Sequence, residues 1–381
     1  MEPVMVKPEM LSWACERCGQ TLEDLRGRFP KLELWIHGKA SPTFRQLERF
    51  AKTTYTPIGF LFLPNPPIEN VPIPDFRIVG TKGLVGRPSP DLLDIIYVCQ
   101  QRQEWYREFA RTSGEKPLSF ASSVTLADNV AEVAASIRHT LGFDIEERRQ
   151  IPTWTEALRR FIEQADVAGI LVMVSGIVGS NTRRKLDPQE FRGFALADNL
   201  APVVFINGSD TKAAQMFTLA HELAHIWLGQ SALSDTQAAQ IPEHQIERWC
   251  NMVAAELLVP LAVLREAYQE SNSLSAETNR LAKQFKVSTL VILRRIYDAG
   301  GITKKQFWKA YYEELERLCT LPGGKGGNFY LSLPARVSKR FARALVVSTL
   351  EGQTLHRDAF RMLGFSKFET FKNLRRSLEV T

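Results

Sequence analysis

Hydrophobic residues recur at helical spacing along most of the chain, and a strand-like pattern is confined to a short central region. In residues 7–63 the apolar positions predict a compact unit of five short helices. Helical periodicity returns over residues 91–111, 129–141 and 154–164, and residues 169–174 then switch to a continuous apolar run that is typical of a strand. The pattern therefore predicts a mainly helical α+β protein.

Proline and glycine divide this pattern into segments. Seven prolines between residues 64 and 90 rule out regular helix and predict a semi-rigid linker. A Gly-Gly-Lys-Gly-Gly run at residues 323–327 predicts a second break. We therefore predict a helical unit, a linker, a central domain and a basic helical C-terminal region, at residues 1–66, 67–90, 91–320 and 321–381.

The most informative helix covers residues 217–228, which read FTLAHELAHIWL and contain no proline or glycine. His221 and His225 are four residues apart, so they lie roughly 40° apart on one helix face and can both reach one zinc ion. Glu222 lies roughly 100° from His221, where it can contact a metal-bound water without being a ligand. The alternative is a buried helix with two hydrogen-bonded histidines, but three ionisable groups in so apolar a helix need a reason to be there.

A catalytic zinc site needs a third protein ligand, and the next helix supplies a candidate. That helix is bracketed by Pro242 and Pro260 and carries Glu247. Asn251 follows one turn later on the same face, and we expect it to orient the Glu247 carboxylate. Glu256 lies roughly 180° around the helix from Glu247, so the two carboxylates cannot both face the metal.

These two helices together resemble the ImmA/IrrE family of metallo-endopeptidases. The resemblance rests on the TLAHELAH sequence at residues 218–225 and on the pattern E-x-x-x-N-x-x-A-A-x-L-L-x-P at residues 247–260. Upstream runs at residues 191–195 and 202–207 are similar to the small sheet of that family. The resemblance is specific over about residues 165–265 and looser elsewhere.

The resemblance implies a gluzincin-like domain with a small sheet, a helix carrying the H-E-x-x-H motif and a bound Zn²⁺. His221, His225 and Glu247 would be the metal ligands, and Glu222 would be the catalytic general base and acid. Characterised members cut DNA-binding repressors. A repressor or antitoxin-type protein is therefore the expected substrate, in a stress, phage or mobile-element response.

Further contacts with substrate are expected around the metal helix. The strand just before it comprises Val203, Val204, Phe205 and Ile206. We expect this strand to lie at an edge of the sheet and to pair with an extended substrate, as in related metallopeptidases. His244 and Arg192 are candidates for stabilising the oxyanion or contacting substrate, and a plain surface role for His244 is the alternative.

The N-terminal unit has a resemblance of its own. Residues 35–51 resemble the helix-turn-helix domain of the Xre/Cro repressor type, which places one helix in the major groove of DNA. The candidate DNA contacts are Lys31, Lys39 and Arg45. The third helix also carries acidic and apolar residues, which suit DNA poorly, so a protein-docking role is an equal alternative. Operator DNA is accordingly a candidate partner, and the oligomeric state is not predicted.

Charge and cysteine content refine this interpretation. The net charge is +6, and residues 301–381 hold 15 Lys+Arg against 7 Asp+Glu, which indicates contact with nucleic acid, an acidic partner or only solvent. Five cysteines and the absence of a signal-peptide pattern favour the cytoplasm. Cys15 and Cys18 have no second pair to complete a structural zinc site. No apolar run approaches about 18 residues, which excludes a membrane span.

Two other functions compete with a peptidase. One is a DNA-binding regulator in which the zinc site is structural or sensory and cleaves nothing. The other is an antitoxin-like interaction protein that works by docking. Glu222 argues against the first, because a structural metal site does not need that carboxylate.

Overall fold

The structure is a computed structural model that describes residues 3–76, 87–234, 244–319 and 335–380. The predicted glycine break at residues 323–327 and the helix-bracketing Pro242 lie outside the described residues. The chain divides into two compact units, of which the first comprises residues 1–72 and 79–97 and the second comprises residues 73–78 and 98–381.

The first unit contains the predicted short helices. They are α1 (Pro8–Arg17), α2 (Leu22–Arg26), α3 (Leu32–Ile36), α4 (Phe44–Thr53) and a 3-10 helix (Ile58–Phe62). Helices α2 and α4 begin at capping boxes, because the hydroxyls of Thr21 and Thr43 accept the backbone N–H three residues later. The apolar faces meet in one core that includes Met10, Trp13, Leu25, Phe29, Trp35 and Phe50.

Helix α5 (Pro90–Thr112) follows, and its residues are divided between the two units. The remaining helices belong to the second unit. They are α6 (Val130–Leu141), α7 (Ile145–Gln150), α8 (Trp154–Val167), α9 (Lys212–Leu228), α10 (Gln245–Leu258), α11 (Leu261–Ala267), α12 (Leu274–Phe285), α13 (Thr289–Asp298), α14 (Lys304–Cys319), α15 (Lys339–Leu350), α16 (His356–Leu363) and α17 (Phe368–Ser377). The predicted mainly helical α+β class is confirmed.

The second unit contains a four-stranded sheet. Its strands are β1 (Leu171–Ser175), β2 (Gly193–Leu196), β3 (Val203–Asn207) and β4 (Ala232–Ser234), in the order β1-β3-β2-β4. Strand β3 is parallel to β1 and antiparallel to β2, and β2 is antiparallel to β4.

The expectation that Val203, Val204, Phe205 and Ile206 form an edge strand is wrong. Strand β3 lies between β1 and β2, and all of its residues are buried. Both edges of its backbone are therefore already hydrogen-bonded within the sheet. The sequence of β3 is apolar throughout because a strand that is covered on both faces needs no polar side chain.

The edge beside β4 is extended by the linker. Asp75 forms a parallel bridge with Leu233. The Phe76 N–H donates to the Leu233 carbonyl at 2.9 Å, and the Leu233 N–H donates to the Pro74 carbonyl at 2.9 Å. Residues 74–76 of the predicted linker therefore have an ordered place on the sheet.

Helix α9 is the buried centre of the second unit. It begins after Thr211, whose hydroxyl accepts the Ala214 N–H, and it ends at Gly229, which has the left-handed φ of 70°. A Cβ at Gly229 would lie 2.3 Å from Ser122 Oγ, so both the backbone and the space require glycine there. The helix packs against β2, β3, α8 and α10, and residues 215–227 are all buried.

The C-terminal helices are tied to this unit by buried polar contacts. Ser338 donates to the Asp166 carboxylate at 2.7 Å, and the Arg340 N–H donates to the same carboxylate at 3.0 Å. The buried Arg102 donates through Nε to the Met362 carbonyl at 3.0 Å. These bonds fix α15 and the end of α16 against α5 and α8.

Candidate metal centre

Helix α9 places three ionisable side chains inside the second unit. His221, Glu222 and His225 are each 0% exposed. The helix forms there because its sequence is almost entirely apolar and its two ends are capped by Thr211 and Gly229. Buried ionisable groups are costly unless they are paired or bind a metal, so their partners decide what the site can do.

Glu247 joins the two histidines from α10. His221 Nε2 lies 3.2 Å from Glu247 Oε2, His225 Nε2 lies 3.0 Å from Glu247 Oε1, and the two Nε2 atoms are 3.1 Å apart. Among the described residues these three form the one His/Cys/Asp/Glu group with atoms close enough to hold a metal ion.

The arrangement fits a tetrahedrally coordinated metal ion whose fourth coordination position is open. Two imidazoles and a carboxylate are the ligand set of many catalytic zinc sites. With metal–ligand bonds of roughly 2.0–2.1 Å, ligand atoms at tetrahedral corners are about 3.3 Å apart, close to the observed spacings. The two Nε2 atoms face each other, and at most one proton can lie between them, so a shared cation suits both nitrogens.

Asn251 contacts a different partner from the one expected. Its Oδ1 lies 2.9 Å from His221 Nδ1, whereas the sequence predicted that it would orient the Glu247 carboxylate. In this bond His221 Nδ1 donates its proton to Asn251 Oδ1, and the Nε2 atom of the same ring faces Glu247. The sequence predicted the correct face of α10 for Asn251. Helix geometry alone, however, does not show which neighbouring helix the Asn251 amide contacts.

Ser234 is a site residue that the sequence did not reveal. Its hydroxyl lies 3.4 Å from His225 Nε2 and 3.4 Å from Glu247 Oε1, and it is buried at the end of β4. A three-residue strand has no readable period, and a serine near a turn is commonplace. No signal in the sequence could have distinguished it.

Glu222 is buried without a hydrogen-bond partner. Neither carboxylate oxygen has one among the described residues. Strand β2 passes close by, since a Cβ at Gly193 would lie 2.5 Å from Thr218 Cγ2 and 3.2 Å from Glu222 Oε1. Glycine at this position therefore leaves room beside the carboxylate.

The site has strong and opposing electrostatic effects. Burial raises the pKa of Glu222 well above its ordinary value, and the charge of Glu247 adds to the rise. Burial alone would also raise the pKa of Glu247, but the charge of His221 and hydrogen bonds from both histidines lower it well below its usual range. Burial lowers the pKa of His225, which favours the neutral ring that metals bind.

The other candidate site residues have partners of their own. Glu256 forms a short ion pair with Arg295, on the side of α10 away from the histidines. Arg192 pairs with Asp210 at 3.6 Å. His244 is exposed, and its ring stacks on Phe76 with 4.2 Å between centroids. Glu256, Arg192 and His244 therefore occupy structural or surface positions. An oxyanion role for either Arg192 or His244 stays a prediction.

The residues predicted to contact DNA lie in the first unit. Lys31, Lys39 and Arg45 are all exposed. Lys31 precedes α3, and Arg45 is in the first turn of α4. The contact with DNA itself stays a prediction.

Comparison with known proteins gives two family matches. Residues 165–297 match a peptidase family model described as the IrrE N-terminal-like domain. Residues 337–377 match a model described only as a domain of unknown function. The first match contains the sheet, α9 and α10, and the second contains α15, α16 and α17.

One relative has a described activity. The radiation response metalloprotease IrrE of Deinococcus radiodurans is 35% identical over 91 residues, which are 23% of this chain and 28% of that protein. The chain thus matches little more than a quarter of the relative's length. The family match covers the His-His-Glu cluster, and together with the relative it supports a metalloprotease of the IrrE/ImmA kind. In the described part of the chain, no helix is long and apolar enough to cross a membrane.

Proposed function

We propose that this protein is a zinc-dependent endopeptidase that cleaves a regulatory protein, in particular a DNA-binding repressor. One observation carries the proposal. The buried and unpartnered Glu222 lies beside a His-His-Glu cluster, within the segment that matches the IrrE-type peptidase model. A carboxylate that only stabilised the fold would have hydrogen-bond donors around it.

His221, His225 and Glu247 would hold the metal. When bound, Zn²⁺ supplies a Lewis acid that polarises the scissile carbonyl and makes water more acidic. Asn251 holds the His221 ring in the orientation that directs Nε2 to the cluster. Ser234 borders both His225 and Glu247, so it limits how far either side chain can turn away.

Glu222 would move the proton in the reaction. Neither of its oxygens has a close hydrogen-bond partner among the described residues, so the carboxylate is available to a water molecule. It would take a proton from the attacking water and later deliver it to the nitrogen of the leaving amine. Gly193 leaves space beside this carboxylate, where any other residue would place a Cβ.

The regulatory substrate is the second part of the proposal. The relative is named for a radiation response, and the first unit of this chain is a small helical bundle with exposed basic residues. We expect that unit to bring the peptidase to its target by contacting the repressor or its operator DNA. Substituting Lys31, Lys39 and Arg45 together by alanine should then slow cleavage at low substrate concentration more than at high concentration.

The test combines metal content with cleavage. Purified protein is analysed for zinc and incubated with a library of unstructured peptides and with repressors encoded beside its gene, with products read by mass spectrometry. Wild-type protein should hold about one zinc and cut at least one substrate. The Glu222→Gln variant should keep the zinc and lose cleavage.

A non-proteolytic regulator with a structural or sensory zinc is the second candidate. The observation that favours it is burial, since His221, Glu222 and His225 are 0% exposed and Glu247 is 1% exposed. This candidate predicts bound zinc but no cleavage by the wild-type protein, with DNA binding that changes when zinc is removed. Stoichiometric zinc without cleavage of any library peptide or neighbouring repressor would select it.

A further inference from the structure

The C-terminal helices carry the positive charge of the protein. Residues 337–377 contain nine Lys+Arg and three Asp+Glu, so their net charge of +6 equals that of the whole chain. The other residues are therefore neutral on balance. Arg340 pairs with Glu115 at 2.9 Å, so the local positive field comes from the other cations of the segment.

Helices α16 and α17 are arranged as a helix–turn–helix pair. They are joined by residues 364–367, and Gly364 has the left-handed φ of 78° at the C-terminus of α16. A turn of three or four residues with glycine is typical of this motif. The Phe360 and Phe371 rings, 5.6 Å apart between centroids, pack the two helices together.

The second helix of the pair has distinct buried and exposed faces. Phe371 and Leu374 are buried, whereas Lys372 and Arg376 are exposed. The two cations are one turn apart, so they project from the same face of α17. Lys367, in the turn before α17, is exposed as well.

The first helix adds two more cations. The side chains of Arg357 and Arg361 are 86% and 73% exposed, and they share the single carboxylate of Asp358 at 3.7 Å and 3.6 Å. One half-buried carboxylate cannot neutralise two guanidinium groups, and surface pairs of this length contribute little. A positive charge therefore remains on α16.

A loop from elsewhere in the second unit contacts the turn. The Ser180 hydroxyl donates to the Gly364 carbonyl at 2.5 Å. Residues 177 and 185 close this loop by an antiparallel bridge, and Arg183 and Lys185 are exposed. Residues 176–186 include three basic and no acidic residues, so the loop adds positive charge next to the helix pair.

We propose that α16, α17 and the loop of residues 177–185 form one surface that binds the phosphate backbone of duplex DNA. The loop contacts the turn between the two helices through Ser180 and Gly364, so three basic segments adjoin there. Duplex DNA presents one negative charge for about every 1.7 Å of its axis. The helix pair supplies the rigid support that such binding uses, and the first unit of the chain takes no part in this contact. The proposal does not depend on the peptidase activity.

The test measures binding of the full chain to a fluorescently labelled duplex of random sequence across a salt series. The logarithm of the binding constant should fall linearly with the logarithm of salt concentration. The double variants Lys372→Ala/Arg376→Ala and Arg183→Ala/Lys185→Ala should each weaken binding about tenfold and make the salt slope shallower by about one or more. Lys372→Arg should bind like wild type, because the charge is kept.

Matched controls decide the interpretation. Lys304→Ala/Lys305→Ala removes the same charge from exposed positions of α14 and should change binding less than twofold. Equal losses in all three double variants would mean a general charge effect and reject the surface. The proposal also fails if the duplex does not bind, if only an acidic peptide or single-stranded RNA binds, or if Lys39→Ala/Arg45→Ala abolishes binding while the α17 variant does not.

Discussion

Glu222 and Glu277 are both 0% exposed, yet their surroundings are opposite. Glu277 accepts the Gln269 N–H at 2.9 Å, Asn272 Nδ2 at 2.7 Å and Arg280 Nε at 2.9 Å. Neither oxygen of Glu222 has a close hydrogen-bond partner among the described residues, and the Ser234 hydroxyl is the one group that lowers its pKa. Their pKa values move accordingly, since burial raises that of Glu222, whereas the bond from Arg280 leads the lowering of that of Glu277 to about 2.

The difference separates a residue that holds the fold from one suited to chemistry. A carboxylate with several donors stabilises the folded state because its charged form is favoured there. A carboxylate buried without donors destabilises it, so folding alone gives no reason for glutamate at position 222. If this contrast is correct, the two residues respond oppositely to substitution in activity and in stability.

The largest effect is expected from Glu222→Gln. Cleavage should fall by about 10²–10⁴-fold because the proton acceptor is lost, and the free energy of unfolding should not decrease. Zinc content, measured by mass spectrometry of the metal, should match wild type. His221→Ala and His225→Ala should each lose zinc in addition to cleavage. A Glu222→Gln protein that unfolds much more easily than wild type would contradict the contrast.

The second-largest expected effect distinguishes the carboxylates of Glu247 and Glu256, which are both on α10. Glu247→Ala should lose zinc, because one of three ligands is removed. Glu256→Ala should keep zinc but lower the free energy of unfolding by about 2 kcal/mol, because the buried Arg295 loses its shorter carboxylate contact and keeps only Asp298 at 3.7 Å. Zinc analysis and denaturant titration of both variants measure this. Zinc loss in Glu256→Ala alone would show that the cluster has been assigned to the wrong residue.

A smaller change in metal affinity is expected at Asn251. Asn251→Ala removes the contact with His221 Nδ1 and should weaken zinc binding or activity by about 10–100-fold. Competition with a zinc chelator gives the affinity. Met252→Ala, at the neighbouring exposed position of α10, is the matched control and should bind zinc as wild type does.

The smallest effect concerns stability at Glu277. Glu277→Gln should lower the free energy of unfolding at pH 7 by about 1–3 kcal/mol and leave zinc and cleavage unchanged. Because the pKa of Glu277 is lowered from 4.5 to about 2, its contribution is present above pH 4.5 and is lost as pH falls toward 2. The wild-type stability should therefore fall more steeply than that of Glu277→Gln over this window.

Denaturant titrations between pH 2.5 and pH 7 measure this difference, with the exposed Glu270→Gln as control. The control should follow wild type throughout. Parallel curves for wild type and Glu277→Gln would mean that the bonds to Glu277 do not favour its charged form in the folded protein.

The His-His-Glu cluster could be predicted from sequence because its information is local. His221 and His225 are on one helix, and the side of α10 that carries Glu247 follows from helix geometry. The helices were predictable for the same reason, since apolar spacing and N-caps such as Thr21, Thr43 and Asn129 are read over a few residues.

Contacts between distant segments could not be predicted in this way. The apolar run in β3 predicts a strand, but it does not say that β1 and β2 lie on either side. The partner of Asn251 and the position of Ser234 depend on how separate elements pack. The pairing of residues 74–76 with β4 joins positions more than 150 residues apart, and no short-range pattern encodes it.

That pairing also limits what else can bind at this edge of the sheet. The N–H and carbonyl of Leu233 are both bonded to residues 74–76, so the outer edge of β4 offers no free backbone group at this residue. An incoming extended polypeptide would have to displace a segment of the same chain, whose pairing with β4 is intramolecular. The covered edge thereby also protects the protein from strand-by-strand self-association, which unpaired edges promote.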